Sequence, residues 1–213
     1  MKLKKNDLNK GLAYLFVAIG VLVLVISATN LLSAQSDLQP QPQPQDASDL
    51  RTVIVDGQTI TPQQVQARQL LFLTLGVEAN LAEVKEEMIT ESVLLREARN
   101  RGYEISQEEA LEELEMTLAF SGLTVQDLVS DLEETGVLYQ DFVDYYKNSV
   151  VISEMIQDEI SNIEVTQQEI NLIIQEQGLD EETASQIALL NKQQEQLDII
   201  IEELKSNAQI VYQ

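Results

Sequence analysis

The 213-residue chain contains no cysteine and no histidine. Without thiols it can form no disulfide, no thiolate metal site and no thiol nucleophile. Without imidazole the commonest general base and metal ligand is missing too. Together these absences exclude Ser-His-Asp and Cys-His catalysis and most zinc chemistry. Basic residues are scarce: 13 Lys and Arg stand against 36 Asp and Glu, for a net charge of −23. So acidic a chain repels nucleic acid rather than binding it. No glycine-rich phosphate loop or EF-hand spacing occurs. Carboxylate-only chemistry survives these exclusions. Pairs such as Glu112 with Glu113 and Glu133 with Glu134 nevertheless sit at positions that read as solvated helix faces. Nothing in the pattern calls for a cofactor or a metal.

Charge is also absent locally. Gly11 to Ser36 is an uncharged run of 26 residues, with Lys2, Lys4, Lys5 and Lys10 before it and no basic residue after it until Arg51. Its apolar heart, GLAYLFVAIGVLVLVISA, and the extension TNLLSA exceed the roughly 20 residues a helix needs to cross hydrocarbon. The lysine asymmetry predicts a cytoplasmic N-terminus and an extracytoplasmic remainder. A cleaved signal peptide is the competing reading. Its cleavage signal is poor, because Leu32 or Ile26 falls where a small residue is wanted. The expected layout is a basic tail at 1–10, a transmembrane signal anchor at 11–34, a tether at 35–50 and a folded domain at 51–213.

The tether prediction rests on composition: Gln35 to Leu50 holds three of the four prolines, with glutamine, serine and aspartate, which favours an extended, solvated chain. Outside the membrane the chain would carry 9 basic against 35 acidic residues, a charge of −26. Such a domain stays soluble and attracts basic segments. The overall 44% apolar content argues for a real core rather than a disordered tail.

Beyond residue 50 the punctuation is helical. Val53 to Val55 and Gln58 to Ile60 flank Asp56-Gly57, the dipeptide of a tight hairpin turn. Thr61-Pro62-Gln63-Gln64 combines an N-cap, a proline at the first helical position and a capping-box glutamine, predicting a helix from Pro62 to about Leu75 that stops at Gly76. The next, from about Ala79 to Arg101, carries Leu81, Val84, Met88, Leu95 and Ala98 on one stripe. Ser106 with Glu109 and Thr166 with Glu169 are further capping boxes, and Thr124 caps a short helix ended by Gly136. A long helix bearing Leu138, Phe142, Tyr145, Ile152, Ile156 and Ile160 reads as the spine. The last, about Glu181 to Leu204, has Ile187, Leu190, Leu197, Ile201 and Leu204 in a heptad-like seam that Gln194 interrupts. The β-prone end, Ala208 to Tyr212, should join the hairpin, because an isolated two-stranded ribbon is marginal in water. The fold class is therefore mainly α, with a small sheet.

Three segments resemble the N-terminal chaperone module of SurA, PrsA and PpiD type folding factors: VIVDGQTITPQQV, VKEEMITESVLLREARNRGYEISQEEALEELE and LLNKQQEQLDIIIEELKSNAQIVY. In that family a parvulin isomerase domain commonly precedes the returning helix and strand. Here only a few residues separate IEVTQQEINLIIQEQGL from the last helix, so the resemblance does not extend to isomerase activity. It implies an ATP-independent holdase for unfolded or nascent secreted and envelope polypeptides. A structural or assembly subunit bound to one membrane-protein partner is the alternative. Phe120, Tyr139, Tyr145 and Tyr146 are the candidates for client contact, since amphipathic aromatics suit promiscuous surfaces. The same residues at helical spacing also fit a plain core role.

Overall fold

The computed structural model describes residues 51–213; the predicted anchor and tether lie outside them. No helix among the described residues is long and apolar enough to cross a membrane. The order is β1 (Val53–Val55), β2 (Gln58–Ile60), α1 (Pro62–Thr74), α2 (Leu81–Asn100), α3 (Gln107–Phe120), α4 (Val125–Thr135), α5 (Tyr139–Ile160), α6 (Gln167–Gln177), α7 (Glu181–Asn207) and β3 (Ile210–Tyr212).

The sheet has the order β2-β1-β3 with both pairings antiparallel, so the end of the chain does return to the hairpin. Asp56 at φ 49° and Gly57 at φ 87° supply the two left-handed residues of the turn. Val53 and Val55 point inward from the central strand and are buried. The sheet thereby closes one end of the helical body over a shared apolar cluster that includes Ile60, Val65, Val84 and Phe142.

The capping boxes at Thr61, Ser106, Thr124 and Thr166 all form, each with its side chain and the third helical residue exchanging hydrogen bonds. Another box was not foreseen: Asn80 accepts from Ala82 and Glu83 amides, which starts α2 at Leu81 rather than Ala79. α5 is the spine, packed against α2, α3, α4 and α7. Its Phe142, Ile152 and Ile156 are fully buried, each contributing about 1.5–3 kcal/mol of hydrophobic stabilisation. Leu138, expected on that stripe, is instead the residue before the first turn and is largely exposed.

α7 divides its packing. Ala184 and Ala188 face Ile170 and Ile173 of α6, whereas Leu197 and Ile201 face α2 and α5. Leu190 is two residues on from Ala188, which turns it to the side of α7 away from α6. It stands exposed, which breaks the expected seam.

Candidate functional site

α3 and α5 pack side by side, and a cleft of about 490 Å³ opens between them towards the α2–α3 turn. Tyr103, Tyr146 and Val150 give it apolar wall, and Glu113, Glu154 and Asp158 give it carboxylates. The Tyr103 hydroxyl donates to Asp158 Oδ2 at 2.7 Å and closes one end. This bond is the first cause holding the Tyr103 phenol above its usual range. Partial burial, then Glu154, raises the Glu113 carboxyl. Glu113, Glu154 and Asp158 form no ion pair among the described residues. Glu113, Thr117 and Phe120 follow at i, i+4 and i+7 along α3, so one helical face leads from the cleft to the helix end.

The four candidates separate sharply. Phe120 projects from the end of α3 with 96% of its surface exposed, and Met116, one turn earlier, is 60% exposed. Tyr139 is half-buried, and burial, then Glu115, raises its phenol. Tyr146 is only 3% exposed: its ring stacks on Phe142 at 6.3 Å and belongs to the core, although it still lines the cleft. Tyr145 is 2% exposed and packs edge-on to Phe72 with centroids 6.0 Å apart. Its position on the α5 stripe turns it inward, and it meets solvent only where a cleft opens between α1 and α5.

A second cleft of about 400 Å³ lies between α1 and α5. Arg68, Leu71, Met88, Asp141, Asp144 and Asn148 line it, and beneath runs a buried polar network. Arg68 Nη1 donates to Glu87 at 3.2 and 3.3 Å and to Glu91 at 2.5 Å. Asn148 Nδ2 donates to the other Glu91 oxygen at 2.9 Å. The guanidinium also lies 4.4 Å from the centroid of the Tyr145 ring, a cation–π contact. Burial works against the Arg68 charge, but Glu91 and Glu87 outweigh it and hold the guanidinium protonated. Burial pushes the Glu87 carboxyl well up, Arg68 opposes that, and Glu91 adds to it. The Tyr145 hydroxyl is buried without a partner.

Sequence reasoning missed this network because charged residues at helical spacing read as solvent face. The readable signal was position: Glu87 and Glu91 fall on the same repeat as Val84, Met88, Leu95 and Ala98. No group of carboxylates among the described residues is arranged to hold a metal ion. Both clefts set apolar wall beside carboxylates.

The fold is similar to one solved for SurA-like chaperones. A solved structure from the human pathogen Campylobacter jejuni, described for the virulence factor PEB4 and the periplasmic protein Cj1289 as two structurally related SurA-like chaperones, aligns with a TM-score of 0.56. The alignment covers 78% of this chain and 99% of that one at 9% sequence identity. No protein-family model matches the chain, and no curated protein sequence does.

Proposed function

We propose that this chain is an ATP-independent holdase for unfolded or nascent secreted and envelope polypeptides, anchored by residues 11–34 with residues 51–213 on the extracytoplasmic side. The observation that carries this reading is Phe120, a large apolar side chain left 96% exposed at the end of the helix that also walls the α3–α5 cleft. Isolated exposed apolar residues need no explanation, but Met116 and Phe120 on one helix beside a cleft are a surface for apolar segments. The SurA-like fold supports the same reading. The carboxylates favour clients with basic residues, by simple charge complementarity. Binding is expected without an isomerase step of the chain's own. The uncharged 11–36 run and its lysines support the anchor.

The test is aggregation of a chemically unfolded model client diluted into buffer with the full chain. The full chain should delay scattering at near-stoichiometric ratio; no delay at any ratio overturns the proposal. The assembly-subunit reading draws on Leu190 and Ile199 of α7, which are 61% and 53% exposed. Cross-linking in membranes separates the two: many adducts mean a chaperone, and one stoichiometric adduct means a dedicated partner.

A further inference from the structure

Two carboxylates share one guanidinium where α1, α2 and α5 meet. Arg68 comes from α1, and Glu87 and Glu91 come from successive turns of α2. Their side chains are 13%, 2% and 8% exposed. One positive charge balances one carboxylate, and burying a second unbalanced one is strongly unfavourable. Glu91 has the shorter contact with Arg68 and a second donor in Asn148. Glu87 has only the longer contact. The extra proton therefore resides on Glu87.

Glu87 is faced by titratable groups from three helices. Arg68 faces it from α1, Glu91 from its own helix, and the Tyr145 phenol is coupled to it from α5. Asp141 and Asp144 line the adjoining cleft. Lys205 of α7 is committed to the neighbouring Glu86 at 2.6 Å. Tyr145 offers no compensation, being itself a buried phenol with an unpartnered hydroxyl.

We propose that Arg68, Glu87 and Glu91 form a one-proton latch: the proton on Glu87 keeps α1 docked on α2 and α5, and its loss frees α1 and widens the α1–α5 cleft. The device is set by charge count at a three-helix junction and holds whatever the domain binds. Opening exposes Glu87 to water, where it ionises, so each opening event releases one proton. By linkage the opening equilibrium rises about tenfold per pH unit, from just above the ordinary carboxylate range until the docked form itself ionises, and then levels. Burial places that upper limit at about 8.

Hydrogen exchange of the full-length chain in non-ionic detergent between pH 5.5 and 9, corrected for intrinsic exchange rates, tests this. Amides of α1 should lose protection about tenfold per unit up to about pH 8, while α6 amides, remote from the network, stay level. Glu87→Gln keeps the neutral form and should make α1 protection independent of pH. A wild-type α1 profile as flat as that of α6 overturns the latch, as does an unchanged slope in E87Q. Should E87Q not fold, the wild-type comparison of α1 with α6 decides alone.

Discussion

Asp56 and Gln209 exchange two hydrogen bonds across 153 residues of sequence: the Asp56 amide donates to the Gln209 carbonyl, and the Gln209 amide donates to Asp56 Oδ1, both at 2.9 Å. The same carboxylate pairs with Arg96 of α2. One turn residue thus ties the hairpin to the returning strand and to the helical body. Asp56→Ala removes the acceptor, the ion pair and a side chain that tolerates positive φ. It should lower stability by about 1–3 kcal/mol in urea denaturation. Asp56→Asn keeps the acceptor and the turn preference, so its cost should stay within about 1 kcal/mol.

Tyr145→Phe deletes the one buried side-chain polar atom without a partner among the described residues, and leaves the ring under Arg68. Stability should be unchanged or raised by about 1 kcal/mol, because an unmade buried hydrogen bond disappears with it. A loss of more than that in thermal denaturation would mean that the hydroxyl has a partner in solution.

The α6–α7 hairpin should be sensitive to acid. The Glu169 carboxylate accepts from the Thr166 amide at 2.6 Å and from Lys192 at 2.9 Å. The Thr166 amide first, then Lys192, hold it down from the ordinary 4.5 to about 2. A carboxyl held lower in the folded state than in the unfolded one stabilises above about 4.5, and that stabilisation is lost as pH falls through about 2. α6 amides should accordingly lose protection on acidification across that window. Glu169→Gln, which can still close the capping box, should be less protected at pH 6 and show a shallower response.

Phe120→Ser should separate folding from function. With its side chain almost wholly in water, stability should move by no more than about 0.5 kcal/mol. Client binding should weaken about tenfold, the order expected for losing one well-buried aromatic at an interface. The readout is the ratio of chain to client that halves aggregation. An unchanged ratio removes Phe120 from the site.

Most helix starts were legible because they are written locally: Thr61 with Gln64, Ser106 with Glu109 and Thr166 with Glu169 need only three residues of context. The third strand was legible because a hairpin that short requires company. Exposure was less so. Tyr145 and Phe120 are both aromatics at helical positions, and only the packing of α5 against four helices separates the buried one from the projecting one. Leu190 illustrates the same limit, since the seam on α7 depends on which partner helix lies alongside at that point. The buried Arg68 network was hidden by its residue types, although its spacing placed it on an apolar stripe.

The neighbouring placement of the first and last strands has a topological consequence. Gln213 donates its amide to Thr52 at 2.9 Å, so the two ends of the described domain emerge side by side from one pole. A body built this way behaves as a cassette: a linker of a few residues from Gln213 to Arg51 could close it into a ring. New ends could then be cut at the turns around Gly122 or Gly178 without unpairing a strand.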